Sequence, residues 1–317
     1  MLRKMKVSIL SMIMVGAVGL MGCSKESKTV EKDEFKVSLV LDEGGVNDQS
    51  FNQSAWEGAL KAQENYNVKV AYLESNQESE YLSNIETAID NESDLIIGVG
   101  FKIADTIKDA ALAYPEQNFA IIDGTYDEIP ENVQPILFNE EEAGYSVGLI
   151  ASKMTKTNTV GFVGGMDIPS VSNFLVGFEK ALKEENSNIK VLSQYANSFT
   201  DAAKGKAIAN QMINNNADII FTAGGGVNTG VYEASKEAGV KSIGVDMPCN
   251  YISPDVIITS ALKNVGVGVE ATIKDLVEGS FKGGQAKIFD LSNGGVGFEK
   301  TNLIPEDVVE FVESKIK

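Results

Sequence analysis

The sequence predicts an α/β protein built as two doubly wound, parallel-sheet lobes with a ligand cleft between them. Three observations carry this. Short β-branched apolar runs alternate with helical apolar periodicity along almost the whole chain. The pattern restarts at Thr159-Val160-Gly161-Phe162-Val163-Gly164-Gly165, a strand running into a glycine turn as the first one does. The run Leu95-Ile96-Ile97-Gly98-Val99 is apolar without alternation, as a strand covered on both faces must be.

Taken in order, Lys36 to Leu41 is the first strand, and Ala55, Ala59, Leu60 and Ala62 then recur at helical spacing, with Ser50 as the expected N-cap. Val68 to Leu73 is the second strand, followed by a helix from Gln77 to Asp90 with Leu82, Ile85, Ala88 and Ile89 on its apolar face. The third strand leads into a helix from Ile103 to Leu112, stopped near Pro115. Asn118 to Ile122 is the fourth strand, with Asp123 at its carboxyl end. Gln134 to Phe138 precedes a long helix over residues 140–154. In the second half, helices at 170–185, 201–214 and 227–238 alternate with strands at 159–163, 190–195, 218–223 and 241–245. Val256 to Leu262 is a late strand, 265–278 a helix, 287–291 a further short strand and 305–316 a closing helix with Pro305 in its first turn.

The chain opens Met1-Leu2-Arg3-Lys4-Met5-Lys6 and then runs uncharged from Val7 to Gly22. A basic start before an apolar stretch of that length is a secretory signal, short for a membrane span. It ends Leu20-Met21-Gly22-Cys23, which resembles the bacterial lipobox and implies a lipid on Cys23, hence anchoring at the extracytoplasmic face of the cell membrane. Residues 23–33 then read as lipidated cysteine and polar tether. Removing residues 1–22 takes three of the 27 basic residues and no acid, leaving 24 against 45 and a net charge of −21. So acidic a chain is not expected to bind nucleic acid, whose phosphates need a basic face. With no histidine, and Cys249 the one cysteine besides Cys23, the commonest general base, a cysteine-ligated metal and an intrachain disulfide are all disfavoured. Neither a cofactor nor a catalytic group is expected.

Residues 42–56 organise the rest: Asp-Glu-Gly-Gly-Val-Asn-Asp-Gln-Ser-Phe-Asn-Gln-Ser-Ala-Trp between the first strand and the first helix. Ligands of open α/β sheets sit beyond the carboxyl ends of the strands, which puts Asn47, Asp48 and Phe51 at the mouth of a site. By the same rule Asp123, Phe199, Gly225, Asp246 and Lys263 fall on the rim. Singly, each has a plainer reading: a strand-end aspartate caps the next helix, and a loop phenylalanine packs on the core. Together they supply two flat apolar faces, Phe51 and Phe199, for a ring, where stacking is worth ~1–3 kcal/mol per base in nucleic-acid binders. They also supply a carboxylate, Asp246, suited to vicinal hydroxyls, with Lys263 donating beside it. Asn47, Asp48 and Asp123 are placed to read a base edge. Gly224-Gly225-Gly226 lacks the lysine and hydroxyl residue of a nucleotide-triphosphate loop, so a nucleoside suits the rim better than a nucleotide.

The run Gly44-Gly45-Val46-Asn47-Asp48-Gln49-Ser50-Phe51-Asn52 with Trp56-Glu57-Gly58 resembles the basic membrane protein family of lipoproteins, the purine nucleoside receptors of ABC transporters. The resemblance implies a type I periplasmic binding protein fold. It places residues 34–138 and 262–284 in lobe one and residues 139–261 and 285–317 in lobe two. It also implies a purine nucleoside (adenosine, guanosine or inosine) between two phenylalanines, an aspartate on the ribose, permease subunits as partners and a monomeric receptor. Lys102 departs from the apolar residue expected there, so it is either solvated or in touch with the ligand. Three other readings compete: a sugar or small signalling molecule in the same cleft; a nucleoside hydrolase using clustered aspartates, against which stand the absence of histidine and of an Asp-rich calcium loop; and the sensor half of a transcription regulator, against which stand the signal segment and the missing basic helix-turn-helix.

Overall fold

The structure, a computed structural model, describes residues 34–316. The expected export segment, Cys23 and the tether lie outside the described residues.

The first half runs β1 (Phe35–Leu41), α1 (Phe51–Asn65), β2 (Val68–Glu74), α2 (Tyr81–Asp90), β3 (Leu95–Val99), α3 (Ala104–Ala113), β4 (Asn118–Ile122), β5 (Val133–Phe138) and α4 (Glu140–Met154). The second runs β6 (Thr159–Gly164), α5 (Pro169–Glu185), β7 (Lys190–Tyr195), α6 (Ala202–Asn214), β8 (Ile219–Ala223), α7 (Val227–Ala238), β9 (Lys241–Asp246) and β10 (Ile257–Lys263). The chain closes with α8 (Val265–Val277), β11 (Lys287–Phe289), β12 (Val296–Phe298) and α9 (Glu306–Lys315).

Two six-stranded sheets result, in the orders β11-β5-β4-β3-β1-β2 and β12-β10-β9-β8-β6-β7. All pairs are parallel except β12 against β10. Both sheets therefore carry the doubly wound order 2-1-3-4-5, with helices burying the two faces of apolar strands such as β3 and β8, every residue of which is buried. The chain passes between the sheets at 138–140, 263–265 and 289–296. The strands entering and leaving these passages are tied together: the Asn139 amide donates to Phe289 O at 2.8 Å, and the Asn264 amide to Gly295 O at 2.8 Å.

Four sequence expectations change. Residues 287–289, expected in lobe two, extend the first sheet by pairing with residues 136–138. Residues 262 and 263, expected in lobe one, finish β10 in the second sheet. Only pairing partners decide such placements, because a three-residue strand carries no lobe signal of its own. On α2 the buried face is Tyr81, Ile85 and Ala88, with Leu82 turned outward at 49% exposure. Tyr81 sits four residues before Ile85 and takes the face that Leu82 was expected to share. Finally, Ser50 makes no side-chain cap bond to α1.

Candidate functional site

Every wall of the main cavity comes from the carboxyl end of a strand or the helix that follows it. The first sheet contributes Asp42, Gly44, Asp48, Phe51 and Asn52 after β1, Gly100 and Phe101 after β3, and Asp123 after β4. The second contributes residues 168–174 after β6, Phe199 and Thr200 after β7, Gly224 to Gly226 after β8, Asp246 at the end of β9 and Lys263 at the end of β10. The enclosed volume is about 240 Å³.

The loop after β1 is held by its own carboxylates. Asp48 caps α1, the role expected of Ser50: its Oδ1 accepts from the amides of Ser50 (2.9 Å) and Gln53 (3.1 Å), its Oδ2 from that of Asn52 (2.9 Å). Burial nonetheless pushes the Asp48 carboxyl up to about 6, against those three amides. Asp42 Oδ1 accepts from the Gly44 amide at 3.0 Å and from Asn52 Nδ2 at 2.7 Å, and burial raises its pKa too. That leaves the amide oxygen of Asn52 buried with no partner within the protein. An orphaned acceptor on a cavity wall is a place for a ligand donor.

The lobes meet through polar pairs. Ser50 Oγ, on the first lobe, donates to Asp246 Oδ2 on the second. Lys263 Nζ lies 2.6 Å from Asp123 Oδ2 and 2.9 Å from Glu140 Oε1, with all three side chains buried. Burial alone would depress the lysine pKa; the carboxylates of Asp123, Glu140 and Asp246 outweigh it and hold it above its ordinary value. Burial raises Asp123 to about 7 in spite of Lys263, with Glu140 pushing the same way. Asp246 is raised by burial, against Lys263 and Ser50. The other Asp123 oxygen, Oδ1, is buried without a partner. Asp123 and Asp246 both adopt left-handed backbone, φ 61° and 66°, a conformation uncommon for non-glycine residues and one that clusters at ligand sites.

Aromatic faces line the remainder. Phe51 sits at the start of α1, with its ring 5.4 Å from Lys263 Nζ. Phe199 packs over Gly165, where a Cβ would stand 2.4 Å from the ring, and its carbonyl accepts from the Gly226 amide at 2.8 Å. Phe101 meets Phe199 edge to face across the lobes, centroids 6.4 Å apart at 64°. Phe174 is backed by Phe221 at 6.0 Å.

Of the eight residues predicted for the site, the structure gathers Asp48, Phe51, Asp123, Phe199, Gly225, Asp246 and Lys263 around one cavity. Asn47 is exposed and outside the lining, because the loop turns through Gly45 (φ 69°) and Gln49 (φ 54°) and swings it outward. Asp48 is on the wall, but its oxygens are taken by helix amides. Asp42, Asn52, Phe101 and Phe174 were not anticipated on the wall, nor Glu140 behind it. Asp42 was the legible one: it is an acid directly after a strand, as Asp123 and Asp246 are. Lys102 is outside the lining and pairs with Glu43 at 2.9 Å and Glu78 at 3.5 Å.

Two doubly wound lobes closing strand-end side chains around a small cavity define the solute-binding class with the periplasmic binding protein-like fold. An ABC transporter solute-binding protein of Aeropyrum pernix superposes with a TM-score of 0.78 at 32% identity, over 89% of this chain and 85% of that one. The profile of the Bmp family, PnrA-like ABC transporter substrate-binding proteins, matches residues 35–316, and the chain belongs to that family. It is 33% identical to the ABC transporter nucleoside-binding protein BmpA of Lactococcus lactis, over 96% of this chain and 94% of the relative. It is 37% identical to basic membrane protein A of Borreliella burgdorferi, over 92% and 86%. The chain is thus a substrate-binding protein of an ABC transporter, a binding class and not an enzyme class.

Proposed function

We propose that this protein captures a purine nucleoside between its lobes and delivers it to an ABC permease, without chemical change. The observation that carries the reading is the composition of the main cavity: phenylalanines from both lobes, Phe51 and Phe199, beside Asp246 and Lys263. Flat rings take a base, and a buried carboxylate takes the vicinal hydroxyls of ribose. The wall bears four carboxylates, Asp42, Asp48, Asp123 and Asp246, against the single cation Lys263. That balance favours a neutral ligand over a phosphorylated one. The orphaned acceptors on Asn52 and Asp123 suit a base edge that offers N–H donors. The relative from Lactococcus lactis carries nucleoside binding in its name. Export, lipidation at Cys23, an extracytoplasmic station and a monomeric state belong to the same proposal. Among the described residues no helix is long and apolar enough to cross a membrane.

Calorimetry on unfolded and refolded protein, with a panel of purine nucleosides, ribose, hexoses and free bases, tests the ligand. Binding of nucleosides but not of ribose or base alone is expected; a hexose binding in their place overturns the ligand and keeps the fold. Phe199→Ala combined with Asp246→Ala is expected to abolish binding, and unchanged affinity in that double variant overturns the site.

A further inference from the structure

Phe101 and Lys102 are adjacent, yet the nucleoside reading uses neither. Phe101 leaves β3 through Gly100, whose φ of 103° is open to glycine and strained for other residues. A short 3₁₀ turn over residues 101–103 then presents the ring to the cavity, where it meets Phe199 of the other lobe. Phe101 is half-buried and lines the cavity. Lys102 on the same turn reaches Glu43, in the loop after β1, and Glu78, after β2. It thereby pins together three loops at the carboxyl edge of the first sheet, including the one that carries Asp42 and Asp48. The lysine is only 19% exposed, against 65% for Glu78.

We propose that this turn is the gate of the cavity: Phe101 closes it against Phe199, and Lys102 is the positioning residue that holds the gate in place. Opening the lobes must separate the two rings, whereas entry into an already open cleft does not. The gate therefore governs release more than capture.

The test uses inosine as probe, and so rests on the nucleoside reading for that choice, with association and dissociation followed by stopped flow. Phe101→Ala is expected to raise the dissociation rate about fivefold, the size of one edge-to-face ring contact, with association within about twofold of the parent. Lys102→Met should reproduce part of that rise and Lys102→Arg should restore the parent rate, with the thermal midpoint of each variant unmoved. Unchanged dissociation, or a loss carried by association alone, overturns the gate. A second measurement needs no ligand. Nitroxides on Asp109→Cys and Lys236→Cys, exposed on α3 and α7, in a Cys23→Ala background, report the distance between lobes. Phe101→Ala should lengthen or broaden that distance, and an unchanged distribution overturns the gate even if no nucleoside binds.

Discussion

Lys263 balances the buried acids Asp123 and Glu140. It faces Asp123 and Glu140 at 2.6 and 2.9 Å with almost no access to water. Lys263→Met would leave two buried carboxylates uncompensated, so we expect urea denaturation to show a loss of about 3–5 kcal/mol. Adding Asp123→Leu to that variant should recover part of the loss, since a pair removed together leaves one fewer uncompensated charge. At this scale the sequence was legible wherever a residue ended a strand. Phe51, Asp123, Phe199, Asp246 and Lys263 could be placed by their position after an apolar run. Asn52 and Glu140 could not, since each sits in a helical first turn where a polar residue is ordinary. Asn47 was over-read for a related reason: the alternation of the loop gives no clue to which side chain its left-handed turns swing outward.

The helices hold the cavity walls through close crossings. α5 carries Phe174 on the wall and crosses α4 at Gly144 and Gly177. A Cβ at Gly177 would lie 1.9 Å from Glu141 O, a backbone atom that cannot step aside. Gly177→Ala should therefore destabilise the protein by about 1–3 kcal/mol, read by urea unfolding, and should weaken ligand binding by tilting the wall. Gly165→Ala acts differently. Its Cβ would meet the ring of Phe199 first, at 2.4 Å, with the Gly224 backbone farther off at 3.1 Å, so calorimetry should show lower affinity with a smaller loss of stability than Gly177→Ala. Helix and strand existence was readable from period alone. The exposed face of Leu82 and the move of residues 287–289 into the first sheet were not, because both depend on what packs alongside.

For the whole molecule, the buried carboxylates set the pH dependence. Folding raises Asp123 from 3.8 to about 7 and Asp48 from 3.8 to about 6. Between those values the folded state binds protons that the unfolded state has released. The contribution of these two groups to stability therefore falls as pH rises from 3.8 through about 7. The expected outcome is a thermal midpoint that declines across that window, with a shallower decline in Asp123→Asn. An unaltered slope in that variant would remove Asp123 as the source. Lys263, held above its ordinary value by its three carboxylates, stays charged throughout and contributes no slope there.

Residue spacing along the chain specified the two-lobed α/β class, the order of strands and helices, and most strand-end residues that face the cleft. It could do so because the periods of strand and helix, and the rule that sites gather at strand carboxyl ends, are local properties of the chain. Folding in three dimensions was needed to turn the buried amide oxygen of Asn52 to the wall without a partner. It alone also decided that Lys263 is clamped between Asp123 and Glu140, and that Phe101 meets Phe199. The Lys263 and Phe101 contacts join residues about a hundred or more positions apart, a pairing that the spacing of apolar residues does not record.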